Sequence, residues 1–288
     1  MLTATTFNIL VDKPESLFPW TARREYVVSA IKKENPDVLC VQEALAHQRE
    51  YLENNLLGYE AFGVGRNDGE KEGEQTVIFH KKVSLQKIEQ GVFWLSETPG
   101  IAGSIGWDAK RPRTVSWKLL KTNSNEKFYV LNTHFDHKGN QANIKSAQVI
   151  FERINSWETD YPVLLCGDFN SPVDSESYQA LLNAQFKDTY SIASGNYPYT
   201  YHMFHVDEYN DQSSRRKRME THHRVFRRID HIFTMGSISV SDIHINNADC
   251  AGQYPSDHFP VICNFEMIPL QATWDGGVNC DNPATLIP

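Results

Sequence analysis

Several apolar runs in this 288-residue chain end abruptly in carboxylates, amides and imidazoles. Phe7-Asn8 closes one run, Val41-Gln42-Glu43 a second, and Thr133-His134-Phe135-Asp136-His137 a third. Gly167-Asp168-Phe169-Asn170 closes a fourth, Asp230-His231 interrupts a fifth, and Ser256-Asp257-His258 precedes the last. One such interruption is ordinary, since an Asp after a strand commonly caps a turn and a lone His is commonly a hydrogen-bonded structural residue. Six in one chain are not. Carboxylate and amide oxygens suit a hard divalent cation, and imidazoles beside carboxylates suit proton transfer. No Cys/His spacing fits a tetrahedral zinc site.

These groups need elements that bring them together. Alternation over residues 2–7 predicts a strand, followed by a helix over 21–34 with Thr21 as N-cap and Asn35-Pro36 as its stop. A buried strand over 37–41 runs into Gln42-Glu43, and a second helix is expected over 45–57. Strands are expected over 75–80 and 114–120, the latter pairing through a polar turn with 127–132. Ile144, Ala147, Phe151, Ile154 and Trp157 mark a long amphipathic helix before the apolar run 162–166. Later strands fall at 228–233, 238–245 and 260–265. Hairpins mixed with crossovers imply mixed sheets, and strand ends of layered folds tend to meet at one rim, where ligands bind.

With 40% hydrophobic and 22% charged residues, the composition is that of a globular chain and excludes wholesale disorder, collagen and coiled coil. No apolar stretch reaches the roughly 18 residues a membrane helix needs. The opening strand leaves no room for a signal peptide, so the cytoplasm is the expected compartment. Cys40, Cys166 and Cys263 sit within apolar runs and read as reduced core residues. The net charge of −8 argues against general polyanion binding. Between Ser213 and Arg228, however, seven Lys/Arg stand against one acid, leaving −14 on the rest of the chain.

Taken in order, Phe7-Asn8, Val41-Gln42-Glu43, Asn132-Thr133-His134, Gly167-Asp168-Phe169-Asn170, Arg228-Ile229-Asp230-His231-Ile232 and Ser256-Asp257-His258-Phe259-Pro260 resemble the endonuclease/exonuclease/phosphatase superfamily. The resemblance spans residues 1 to about 267; each motif alone is weak, whereas all six in order are specific. Thr133-His134-Phe135-Asp136-His137 with Gly139, and Trp107 followed by Arg113 and Trp117, resemble a bacterial subgroup related to nocturnin and deadenylase-like enzymes. The resemblance implies a four-layer α/β/β/α sandwich of two mixed β-sheets flanked by helices (DNase I-like). The catalytic domain would cover residues 1–268, with an irregular tail over 269–288.

Phosphoester hydrolysis needs a cation, an activated water and donors to the phosphate oxygens. Glu43 is the first expected ligand for Mg2+ (Mn2+ being the alternative), with Asn8 contributing an amide oxygen and Asp257 approaching from the far side. Asp168 is the candidate to deprotonate the attacking water, with Asn170 directed at the same phosphate. The family pattern assigns both roles likewise, and makes Asp230 the partner that orients His258. His258 would stabilise or protonate a phosphate oxygen, or act as base; His134 would donate to another oxygen. Asp136 and His137 either shape the leaving-group side or brace their loop. Arg113 and Trp107 are further candidates to face substrate, and the aromatics of Tyr199 to Phe204 either stack on a base or pack their own loop.

The basic segment, led by Arg215, Arg216 and Arg218, is either a solvated loop or a clamp for substrate phosphates. The acidic remainder favours a short single strand, a nucleotide or another small phosphoester over a duplex. Apurinic-site endonucleases of this superfamily usually carry an acid two residues after the Asn, where this chain has Leu10. It also lacks the long apolar hairpin with which sphingomyelinases enter membranes. The expected function is a Mg2+-dependent phosphodiesterase or nuclease acting on RNA, single-stranded nucleic acid or nucleotides. A phosphomonoesterase on a small metabolite is the second reading, and an inactive binding module the third. No membrane and no obligate protein partner are implied.

Overall fold

Side-chain alternation along the central strands sorts the apolar residues into three layers. The computed structural model describes residues 1–157, 159–192, 198–249 and 252–268. The expected irregular tail lies outside the described residues. The strands are β1 (Leu2–Asn8), β2 (Val38–Ala44), β3 (Tyr59–Phe62), β4 (Gln75–Lys81), β5 (Leu85–Trp94) and β6 (Thr114–Thr122). They continue with β7 (Lys127–His134), β8 (Val163–Asp168), β9 (Lys187–Asp188), β10 (Asp230–Met235), β11 (Ile238–Ile245) and β12 (Val261–Met267). The helices are α1 (Trp20–Glu34), α2 (Ala46–Asn55), α3 (Asn140–Asn155), α4 (Glu176–Asn183), α5 (Thr189–Ile192) and α6 (Gln212–Thr221).

One six-stranded sheet has the order β11-β12-β1-β2-β4-β3, the other β5-β6-β7-β8-β10-β9. Each is mixed: β1 runs parallel to β2 and β7 parallel to β8, while the remaining pairs are antiparallel. In β2, Val38 and Cys40 pack between the sheets while Leu39 and Val41 face α1 and α2. In β8, Leu164 and Cys166 point inward while Val163 and Leu165 pack under α3 and α4. Burying both faces of these strands is what makes four layers, with the helices outermost. The three described cysteines are buried and unbridged. No described helix is long and apolar enough to cross a membrane.

Thr21 does not cap α1. The helix starts one residue earlier, and the Trp20 N–H donates to Asp12 Oδ1 at 3.1 Å, so a side chain eight residues upstream does the capping. Asn35 ends α1 in the left-handed conformation, its N–H donating to the Ile31 carbonyl. The basic segment forms α6, capped by Asp211 through the Ser214 N–H at 2.9 Å and burying none of its residues. The sequence pattern did not predict β3, β5, α4 or α6.

One flank of the inter-sheet space is polar. Thr76 on β4 meets Thr114 and Ser116 on β6, and Lys118 on β6 donates to His80 Nδ1 and to the Glu60 carbonyl, each at 2.9 Å. Burial pushes the Lys118 amine down to about 7 and His80 to about 4. Between about pH 7 and 10.5, unfolded Lys118 holds a proton that the folded residue has released, so this group makes stability rise with pH over that window. Lys118→Met should therefore narrow the stability gap between pH 7 and pH 9 by a few kcal/mol at most, about the size such a shift implies. Urea unfolding of both proteins across that range checks this; parallel pH profiles would show that Lys118 stays charged.

Candidate active site

Parallel pairing places the C-terminal ends of β1 and β2 side by side, and likewise those of β7 and β8, with Asn8 opposite Gln42 and His134 opposite Asp168. Antiparallel β10 brings its first residue, Asp230, against Asp168. All these ends share one rim. There the inward-facing positions change from apolar to polar. Gln42 Nε2 donates to Thr6 Oγ1 at 2.9 Å and to Asn132 Oδ1 at 2.7 Å, while Asn132 Nδ2 donates to the Val41 and Val77 carbonyls. This bonded layer floors a cleft of about 390 Å3. Gly167 is required by space, because a Cβ there would stand 2.3 Å from the Thr133 carbonyl oxygen.

Asp168 sits on the floor with only 2% of its surface exposed. Its Oδ2 accepts from Asn8 Nδ2 at 3.0 Å and lies 3.4 Å from His134 Nε2 and 3.8 Å from His258 Nε2. Its Oδ1 accepts the Asn170 N–H at 2.8 Å. Burial, reinforced by the neighbouring Asp230 charge, raises its pKa to about 7, which suits a base working near neutrality. His258 Nδ1 is 2.8 Å from Asp230 Oδ2. Burial alone would lower this imidazole, but Asp230, Asp168 and Asp257 overcome it and raise it to about 10, so it is a cation. His134, buried beside Arg113 and Arg66, is held neutral well below the usual histidine range.

Glu43 adopts φ 63 at an irregularity in the pairing of β2 with β4, a left-handed position that takes its carboxylate out of the pleat and onto the rim. Its oxygens accept from Asn8 Nδ2 at 3.1 Å and from the Val11 N–H at 2.8 Å. The Asn8 amide thus ties the two carboxylates together, and its oxygen accepts the Leu10 N–H. Asp257 borders the same cleft, its pKa raised first by burial and then by Glu43. Arg23 holds the strand ends around it, donating to the carbonyls of Ile9, Leu10, Phe18 and Pro255. Glu43, Glu74 and His134 each offer a ligand atom, all within 4.8 Å of one another. The Glu43 charge raises the proton affinity of both Glu74 and Asp257. Oxygen donors crowded in this way are a set that a hard divalent cation would relieve, so the residues present fit a Mg2+-type ion.

For several of the candidate residues the structure favours one of the readings the sequence left open. Asp136 braces its loop instead of facing substrate: Oδ1 accepts the Lys138 and Gly139 N–H groups, and Oδ2 accepts from Lys110 N and Arg113 Nε. Trp107 borders a separate cavity against α3, with Lys145 and Arg153, because its own loop turns it away from the rim. Arg215, Arg216 and Arg218, on the exposed helix α6, do not line the cleft; they meet Tyr209 and Glu208 from the turn before the helix and Glu220 within it. The cleft receives Arg224 from that segment, bonded to Asn170 Oδ1. Asn170 Nδ2 donates to the Phe135 carbonyl, leaving one amide hydrogen for a ligand. His137 and Arg113 line the cleft, and Arg113 Nη1 is buried without a hydrogen-bond partner.

Tyr199 packs inside, while the Tyr201 ring lies 4.7 Å from that of His258 at the cleft wall. Sequence reasoning missed Glu74, which faces His134 Nδ1 at 3.9 Å and holds Arg66 through two 2.8 Å bonds. It also missed Arg66, Arg111 and Lys13. The one available signal for Glu74 was its place immediately before a strand.

Over residues 5–258 the chain matches the endonuclease/exonuclease/phosphatase family. A structure of a family member from Bacteroides vulgatus is similar at 30% identity and TM-score 0.82, covering 93% of this chain and 99% of that one. The mannosyl-6-phosphatase of Bacteroides thetaiotaomicron is similar at 29% identity and TM-score 0.81, covering 93% of this chain and all (100%) of that one. Nocturnin of Drosophila melanogaster is 23% identical over 296 residues, covering 89% of this chain and 43% of its own length. The chain spans 42–66% of the length of the curated relatives it matches. It belongs to the endonuclease/exonuclease/phosphatase family, whose members are metal-dependent phosphoester hydrolases.

If the His258–Asp230 bond serves turnover, Asp230→Asn should lower kcat about 10^2- to 10^4-fold, the range of a mispositioned acid–base group, with KM changed only a few-fold. Steady-state rates of the folded variant decide; an unaltered kcat would make the bond purely structural.

Proposed function

We propose that this chain is a divalent-metal-dependent phosphodiesterase acting on RNA, single-stranded nucleic acid or nucleotides. The observation that carries this reading is Asp168 beneath two imidazoles at the floor of a cleft whose walls hold Lys13, Arg66, Arg111, Arg113 and Arg224. Glu43 and Asp257, with Glu74 beside Glu43, would hold Mg2+. Asn8, whose NH2 faces Glu43 and Asp168 and whose oxygen accepts the Leu10 N–H, steadies the carboxylates instead of ligating as the sequence suggested. When bound, that ion supplies charge neutralisation for the phosphate and lowers the pKa of a coordinated water.

The chain's own groups account for the rest. Asp168 takes the proton from the attacking water, oriented for it by Asn8 and by the Asn170 N–H. His258, kept cationic by Asp230, donates to a phosphate oxygen as charge builds there. Neutral His134 keeps an N–H for a second oxygen. The unpartnered Arg113 Nη1 and the remaining Asn170 N–H reach the same phosphate from the wall. Tyr201 beside His258 offers a face on which a base can stack.

A phosphomonoesterase is the second reading, supported by the cationic lining of so small a cleft and by the likeness to a mannosyl-6-phosphatase. Bis-p-nitrophenyl phosphate and p-nitrophenyl phosphate, each with Mg2+, Mn2+ or EDTA, separate the two. Diester turnover that EDTA abolishes is expected; preference for the monoester would favour the second reading, and silence with both would leave a binding module. His258→Ala and Asp168→Asn should each cost about two to four orders of magnitude in kcat. Normal rates in either variant, with its circular dichroism intact, would end these assignments.

A further inference from the structure

A second cavity of about 380 Å3 opens beside the cleft and shares His137, Asn170 and Arg224 with it. Its other walls add Lys138, His223 and Arg227, so cationic and imidazole groups stand there beside neutral Asn and Ser side chains. The acids that border it are already engaged. The Asp136 carboxylate accepts three backbone N–H groups and Arg113, and Asp174 is paired with Arg227. Arg224 stands on the divide between the two spaces, bonded to Asn170 Oδ1. A guanidinium carries five N–H donors in a planar fork, so one placed there can serve an anion on either side. Lys138, His223 and Arg227 lie outside the cleft, so none of them is needed to bind a single phosphate at Asp168.

We propose that this cavity is a subsite for a second phosphate of the same substrate, so that the preferred ligand is a nucleotide carrying two separate phosphates. The inference rests on the hydrolase reading of the cleft and refines its substrate class. A phosphate dianion matches the wall better than a neutral sugar or base: Lys138, Arg224 and the two imidazoles can all donate to it. Lys138 and His223 are exposed, so removing them leaves the core intact.

The test is calorimetric titration with Mg2+ in an Asp168→Asn background, so that ligand is not consumed. Thymidine 3′,5′-bisphosphate, thymidine 5′-monophosphate and inorganic phosphate are compared. The bisphosphate should bind about tenfold more tightly than either monophosphate, and adding Lys138→Ala and His223→Ala should shrink that gap to about twofold or less, as expected from losing charge-assisted bonds. A gap that is absent, or that survives both substitutions, overturns the proposal. Two independent inorganic phosphate sites with no advantage for the bisphosphate would mean that the cavity takes free phosphate, and would overturn it equally. Turnover of bis-p-nitrophenyl phosphate by the parent chain tests the hydrolase reading separately. The Lys138→Ala/His223→Ala chain should retain that turnover.

Discussion

Desolvation of the Asp168 carboxylate is the constraint on which the site depends. An ionised carboxylate with almost no contact with water is costly unless donors and cations surround it. The protein supplies these from both sheets: Asn8 from β1, the Asn170 N–H just past β8, and the cationic His258 with Asp230 beneath it. Each partner is fixed in turn. His258 is oriented by Asp230, Asn8 is shared with Glu43, and Glu43 is seated by the Val11 N–H. The proton affinities of the cluster follow from this crowding. Asp168 and Asp257 hold protons more tightly than free carboxyls, His258 is kept charged by its acids, and His134, buried beside arginines, is kept neutral.

That arrangement also explains the polar floor. A purely apolar inter-sheet core reaching the rim would leave these charges against hydrocarbon. The Gln42–Asn132–Thr6 layer interposes bonded amides between the aliphatic core and the carboxylates. It also satisfies the Val41 and Val77 carbonyls where strand pairing becomes irregular.

The fold and the centre of the site were legible because both depend on strand periodicity. Unbroken apolar runs at 38–41 and 163–166 require two buried faces, and the polar residues that follow each run reach the rim. What could not be read depends on where loops travel. Glu74 precedes β4 without any motif of its own, yet antiparallel pairing with β2 brings it to His134. The arginines of α6 drew attention by density, but a helix with no buried face turns them to neighbours such as Glu208 and Glu220, while Arg224, in the turn after it, reaches the cleft. Asp136 sits among the motif residues and proves to be a brace, a distinction that only its four donors reveal. β5 was hidden because Gln86, Lys87, Glu89 and Gln90 break the apolar pattern of its first half, at the sheet edge.

The parallel pairs at the heart of the two sheets have a kinetic corollary. Asn8 and Glu43 belong to one sheet, while His134, Asp168 and Asp230 belong to the other, and the chain joins them over separations of up to 160 residues in the Asn8–Asp168 bond. Neither half can assemble its share of the constellation alone. During refolding, strands close in sequence can pair early, but β1 must wait for β12 from the far end of the chain. The carboxylates acquire their partners only when the two sheets dock, a late and non-local event. Recovery of turnover should consequently lag behind recovery of secondary structure.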